Sequence, residues 1–296
     1  MKKIIALILT LVLSVSFGAL LTACNKDSDT SDKAAGNKLK VFAEYDLTAE
    51  SYAFAVKKGN SAMLASANEL LAELKANGQL DAIINSFFDG TADFAYENTV
   101  ATVPTDKDKY LVVATNAYFP PFEYYDGSKL TGVDIKIAKL LADKLGKTLY
   151  VLDEDFDAVI PSVTTGQADI AMAGLTVSES RKEIVDFTTE YYESAQVLIV
   201  LESDTTFDGC KSGDDIIALL EKQEKSFTVG AQVATTGYMF TAGDEDFGYD
   251  GFANLTAKSY SNGALAALDL SNKKINAVII DKQPAIMIVK SINGNG

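Results

Sequence analysis

The chain of 296 residues has no histidine and no tryptophan, two cysteines, five prolines, and a single arginine against 25 lysines. Each shortage removes a class of chemistry. Without histidine there is no imidazole acid–base catalyst, no histidine-based triad and no histidine metal site. Two cysteines, Cys24 and Cys210, cannot build a zinc cluster or a disulfide framework. Stability must come from buried apolar surface, and a chain of this length can bury one or two cores. Basic residues are also in deficit, 26 against 41 acidic, for a formal net charge of −15. That balance argues against nucleic acid as a partner, because neutralising phosphates takes basic patches.

The N-terminus carries the first positive signal. Lys2 and Lys3 precede an apolar run from Ile4 to Leu20, interrupted by Ser14, Ser16 and Gly18, and then Leu21-Thr22-Ala23-Cys24. The run is long enough to span a bilayer, but the small residues before Cys24 read as a cleavage site. The stretch resembles a bacterial lipoprotein signal, which implies that residues 1–23 are removed and Cys24 is lipidated. The body then lies outside the cytoplasmic membrane, and Cys210 has no disulfide partner. Residues 24–38 are polar, without apolar periodicity, and read as a flexible tether.

Beyond the tether, strand-like and helix-like patterns alternate. Tyr110 to Thr115 is a short apolar run. From Val133, apolar residues recur at 133, 137, 140, 141 and 145, the period of an amphipathic helix with Gly146 as its stop. Thr148–Leu152 reads as a strand, Asp157 as the cap of a short helix ending near Gly166, and Asp169–Gly174 as the next strand. Ser212 caps a helix through Leu220. Phe227–Gln232, a helix near Gly263–Leu270, the strand Ala277–Ile280 and a helix from Lys282 repeat the theme. This is βαβ grammar in two halves, so two mostly parallel sheets and two lobes are expected, with ligands beyond the carboxyl ends of the strands. Tyr191–Ser203, β-rich and without glycine or proline, reads as a segment crossing between the halves.

The lone arginine sits in "GLTVSESRKEIVDF". Lysine supplies a point charge, whereas arginine offers a planar fork that grips a carboxylate with two parallel hydrogen bonds. Composition alone leaves an ion pair and a binding role equally open. Position adds a reason: a strand end, then Ser178 as a helix cap, then Arg181 in the first turn, so that the positive helix end and the fork face one anion.

Several segments together resemble bacterial extracellular solute-binding proteins of family 3, the amino-acid receptors of ABC importers. They are "ATNAYFPPFEYYDGSKLTGVDIKIAKLLADKLG", "DFDAVIPSVTTGQADIAMAGLTVSESRKEIVDFTTEYY", "VGAQVATTGYMF" and "INAVIIDKQPA". The resemblance implies an α/β, two-lobed periplasmic-binding-protein fold of type II, joined by two hinge strands. One departure is that Glu50–Phe88 is similar to the family's C-terminal segment yet comes first, so the chain is expected to be circularly permuted. The expected parts are lobe two from 39–49 and 202–296, lobe one from 50–90 and 110–190, a linker at 91–109 joining the ancestral ends, and a crossing strand at 191–201. Lys40–Glu44 should then share a sheet with Ala277–Ile280.

Carried over residue by residue, the resemblance implies that Arg181 holds the ligand's α-carboxylate, with Gly174, Thr176 and the Thr236 N–H as companions. Asp281 takes the α-ammonium, and Phe119 and Phe156 enclose the side chain. Asn116 and Gln232 face its far end, with Tyr118 approaching the site. The implied partners are a free L-amino acid, ABC permease subunits and, through Cys24, the membrane; the protein would be a monomer without catalytic residues, cofactor or metal. An enzyme on the same fold acting on a prephenate-like acid and a sensor module are the alternatives.

Overall fold

The computed structural model describes residues 36–294. The signal segment, Cys24 and most of the tether therefore lie outside the described residues. Two five-stranded sheets dominate. Across the first, the strands run Val185–Phe187, Ala55–Lys57, Ile170–Ala171, Tyr110–Thr115 and Thr148–Asp153. Across the second they run Leu39–Val41, Gln196–Leu201, Ala277–Asp281, Thr228–Gln232 and Thr256–Tyr260. In each sheet one strand, the second in order, opposes the other four. Those two reversed strands, Ala55–Lys57 and Gln196–Leu201, belong to segments that cross between the lobes. Their approaches pair antiparallel as a small hinge ribbon, Tyr52 opposite Tyr192 and Glu50 opposite Ser194.

The central strands are apolar on both faces because both faces are covered. Along Tyr110–Thr115, Leu111 and Val113 enter one core cluster while Val112 and Ala114 enter another. Along Ala277–Asp281, Val278 and Ile280 face the first cluster, and Ala277 and Ile279 a third. The twofold alternation of strand side chains makes this division. Helices supply the cover. Val133–Lys144 buries Ile137, Ala138 and Leu141, and Ser61–Ala76 buries Leu70, Leu71 and Leu74. The latter helix and Gln79–Phe88 pack on Val133–Lys144, so the N-terminal segment shares a core with that helix.

Several boundaries differ from expectation for local reasons. The first strand is Leu39–Val41 rather than Lys40–Glu44. It ends early because the Tyr45 N–H turns back to the Phe42 carbonyl at 3.2 Å, carrying both rings toward Phe207. That strand shares the sheet of Ala277–Asp281 but is separated from it by Gln196–Leu201. The strand expected over Asp169–Gly174 is only Ile170–Ala171, since Gly174 turns the chain out at φ 54°. Asp155, not Asp157, holds the N-cap position of helix Phe156–Thr165. Asn37 is already anchored, its N–H and Nδ2 donating to the Ser271 carbonyl at 3.1 and 2.8 Å.

Residues 91–109 follow lobe one closely. Tyr96 and Leu130 exchange two backbone hydrogen bonds of 2.7 and 2.9 Å. The Asn98 carboxamide donates to the Val151 carbonyl and accepts the Val151 N–H, both at 2.8 Å. One side chain thus satisfies two backbone groups on the edge strand Thr148–Asp153, which would otherwise be open to pairing.

Helix Ser61–Ala76 turns Ala67, Leu70, Leu71 and Leu74 into the core, and Leu71 is fully buried. Leu71→Ala should cost about 3 kcal/mol by transfer and cavity terms. Urea denaturation reads this as a lower midpoint with unchanged slope; an unshifted midpoint would mean that the helix is not part of the cooperative core.

Candidate functional site

Between the lobes lies a narrow cavity, of about 10 Å³, open to solvent on one side. Its wall comprises Asn116, Phe119, Phe156, Ala173, Gly174, Thr176, Arg181, Gln232, Thr235, Thr236 and Asp281. All nine ligand-site residues expected from sequence are therefore brought together, from segments up to 165 positions apart. Tyr118 is not among them: it is 52% exposed, because in the strand Tyr118–Phe119 neighbouring side chains point opposite ways and Phe119 takes the inward place.

Local sequence explains how Arg181 is set. Ser178 accepts the Arg181 N–H at 3.2 Å and caps the short helix Glu179–Ile184. From there the guanidinium reaches inward, 7% exposed. Its Nη1 donates to the Thr176 carbonyl at 2.8 Å and its Nη2 to the Ala234 carbonyl at 3.1 Å, on the other lobe. Ala234 takes a left-handed φ of 60° to present that carbonyl, a conformation that costs a non-glycine residue about 1–2 kcal/mol. The rings of Phe156 and Phe247 lie 5.7 and 5.1 Å from the guanidinium carbon. No carboxylate among the described residues forms an ion pair with it. Burial lowers its pKa to about 10, against the opposing pull of Glu50 and Asp281. The fork stays charged at neutral pH.

Gly174 is required on two counts. Its φ is positive, and a Cβ there would come within 2.8 Å of the Phe119 ring. Thr176 joins its hydroxyl to that of Thr236 across the cleft at 3.1 Å. At another part of the wall Gln232 Nε2 donates to Asn116 Oδ1 at 2.9 Å, a second bond between the lobes.

Asp281 ends its strand buried, 5% exposed. It accepts the Tyr52 hydroxyl, and that of Ser194 at 3.3 Å. Burial first, and then the Glu50 carboxylate, raise its pKa to about 7. Glu50 accepts the Thr176 hydroxyl at 2.8 Å and the Thr48 hydroxyl at 2.6 Å. Glu50 and Tyr52 are site-supporting residues that the sequence reading missed. The signal was present, since "ESY" puts both on one face of a strand, but nothing local shows which lobe that face meets.

Behind Gly174 sits a second unpredicted feature. Asp134 is fully buried and accepts the Gly174 N–H at 3.0 Å and the Tyr191 hydroxyl at 2.6 Å. Glu123, also fully buried, faces it, and neither of its oxygens finds a donor among the described residues. Burial beside a second carboxylate favours a neutral Glu123 next to an ionised Asp134, although no hydrogen bond joins the two among the described residues. Burial, then the Asp134 charge, push Glu123 well above the usual range, while burial raises Asp134 to about 6.

Residues 111–283 match the model of the bacterial extracellular solute-binding proteins, family 3. A two-lobed binding fold closing on a polar cavity is thus the class that fold and site define. The chain belongs to that family. It is 35% identical over 127 residues to the arginine-binding extracellular protein ArtP of Bacillus subtilis (strain 168), covering 43% of this chain and 45% of that protein. It is 26% identical over 185 residues to the L-cystine-binding protein TcyJ of Escherichia coli (strain K12), covering 62% and 63%. The match therefore spans about half to two-thirds of these relatives' length. Among solved structures, holo ArgBP from T. maritima aligns with a TM-score of 0.52 and 30% identity, over 64% of this chain and 77% of that one. The ancestral amino acid-binding protein AncCDT-1, a precursor of cyclohexadienyl dehydratase, aligns at 0.53 and 29%, over 62% and 75%.

Stability should carry the mark of the Glu123–Asp134 pair. A carboxyl whose folded pKa is raised holds its proton longer folded than unfolded. Its contribution is full at low pH and is lost as pH climbs from the ordinary glutamate range toward the raised value. Glu123→Gln nearly keeps the shape of the side chain and removes the titrating proton. Denaturation midpoints across pH should fall less steeply for the variant than for the unaltered chain; parallel profiles would refute the assignment.

Proposed function

We propose that the protein is an extracellular receptor that captures a free L-amino acid between its lobes and delivers it to an ABC permease. One observation carries this reading. Arg181, a buried guanidinium without a carboxylate partner among the described residues, and Asp281, a buried carboxylate without a cationic one among them, line the same small cavity from opposite lobes. A zwitterion satisfies both. Its carboxylate takes the fork, with the Thr176 and Thr236 hydroxyls at hand, and its ammonium takes Asp281, which ionises fully in that company. Only the closed arrangement engages both ends, so ligand shifts the open–closed equilibrium. The hinge is the ribbon of Glu50–Tyr52 and Tyr192–Ser194. The names of the relatives, arginine- and cystine-binding proteins, point the same way.

The protein acts in this reading as a monomer, without cofactor, metal or nucleic acid. We read it also as a circular permutant, with the lobe boundaries expected from sequence. The family match covers residues 111–283 only, while Glu50–Phe88 forms the hinge and covering helices of lobe one. The Leu39 N–H donates to Asn293 Oδ1, and Asn293 Nδ2 returns a bond to the Leu39 carbonyl, both at 2.9 Å. The two ends that permutation would have opened thus lie side by side. An enzymatic reading draws on Asp281, a carboxyl titrating near 7, and on the likeness to a dehydratase precursor. Conversion of prephenate would establish it.

A thermal-shift screen over the common amino acids tests the receptor reading, since ligand at ~1,000 times its dissociation constant adds ~4 kcal/mol. Arg181→Lys should weaken binding of the ligand so found by about 2 kcal/mol, roughly thirtyfold, with the fold intact. Unchanged affinity by calorimetry would remove Arg181 from the site. The anchor is tested separately. The unaltered protein should fractionate with membranes through acyl chains on Cys24, and Cys24→Ser should release it; an unmodified mature N-terminus in mass spectrometry would rule the anchor out.

A further inference from the structure

Of the residues lining the cavity, only Arg181 and Asp281 carry ionisable charge. On the receptor reading both are consumed by the ligand's own carboxylate and ammonium. Nothing charged then remains for the ligand's side chain. The polar wall left to meet it consists of two carboxamides, Asn116 from lobe one and Gln232 from lobe two, each 3% exposed. They bond to each other across the cleft at 2.9 Å, and Asn116 Nδ2 also donates to the Glu154 carbonyl at 2.8 Å. A pair of carboxamides holds four N–H groups and two acceptor oxygens, so donors and acceptors both remain after those bonds. Phe119 and Phe156 supply flat apolar surface for an aliphatic stem.

Two carboxylate residues bond to the segment that carries Asn116. Asp153 accepts the Ala117 N–H at 2.9 Å, and Glu154 Oε2 accepts the Ser162 hydroxyl at 2.9 Å while its buried Oε1 has no partner among the described residues. Neither lines the cavity. A cationic side chain would be buried there without a counter-ion, and an anionic one without a second cation, each an expensive transfer from water.

We propose that the cavity selects an amino acid whose side chain is uncharged and ends in a hydrogen-bonding group of the carboxamide kind, and that Asn116 and Gln232 make the selection. This rests on Arg181 and Asp281 holding the ligand's backbone ends. It separates the chain from the relatives whose names specify arginine, a side chain that needs a charge this wall does not offer. Because the Asn116–Gln232 bond spans the two lobes, a side chain that inserts a matching amide between them also ties the lobes together. A charged side chain breaks that bond and finds no counter-charge left among the lining residues.

Calorimetry on the full chain with L-glutamine, L-asparagine, L-arginine, L-lysine and L-glutamate near neutral pH tests this. Glutamine or asparagine should bind at least ~tenfold tighter than the three charged amino acids, since leaving a buried polar group unmatched discriminates by that much or more. Asn116→Asp puts a carboxylate of nearly the same shape on the wall and should move the ranking toward arginine and lysine by a similar factor. Gln232→Glu does so from the other lobe, should the first variant fold poorly. Tightest binding of arginine or lysine by the unaltered chain, or an unmoved ranking in folded variants, overturns the selection while leaving the receptor reading in place. If none of the common amino acids binds, the receptor reading falls and the selection with it.

Discussion

A buried guanidinium is the constraint around which the site is arranged. Transferring an arginine side chain from water costs several kcal/mol unless its donors are met and its charge is balanced. The protein meets two donors with backbone carbonyls, Thr176 on one lobe and Ala234 on the other. It balances the charge only from a distance, through Glu50 and Asp281. The remaining capacity of the fork is directed into the cavity. Gly174, the Ser178 cap and the left-handed Ala234 each follow from that, since each sets a backbone group that the fork or its surroundings require.

The opposite charge is prepared in the same manner. Asp281 sits at the end of a wholly buried strand, held by hydroxyls and by no cation among the described residues. Two half-compensated charges on facing lobes favour a ligand carrying both complements. On the proposed receptor reading neither lobe alone supplies the binding energy, so closure and capture become one event.

The hinge connects these charges to the scaffold. Glu50 and Tyr52 leave the ribbon from adjacent inward positions, one to Thr176 and one to Asp281. Tyr191, where the returning segment begins, bonds to Asp134, and Asp134 holds the Gly174 N–H. Each crossing segment therefore touches a group that lines or supports the cavity. Motion at the hinge cannot leave the site unaltered.

Much of this was legible in the residue order. Period-2 and period-3.6 patterns mark the βαβ units because strand and helix burial follow directly from those periods. The caps at Ser178 and Ser212 are local chemistry and read correctly. The lone arginine does lie in the cavity wall that its sequence position suggested. Other features depend on which surfaces meet in three dimensions. Nothing near Glu50 or Tyr52 in sequence shows that they lie beneath Thr176 and Asp281, positions 126 and 229 residues away. Glu123 reads as an ordinary surface acid in "FEYYDG", and only its burial beside Asp134 raises its pKa. The short first strand ends where Phe42 finds Phe207, a contact no local rule supplies. What sequence determined is periodicity, capping and the kind of charge; what tertiary structure decided is which charges share a low-dielectric space, because that depends on distance through the fold rather than along the chain.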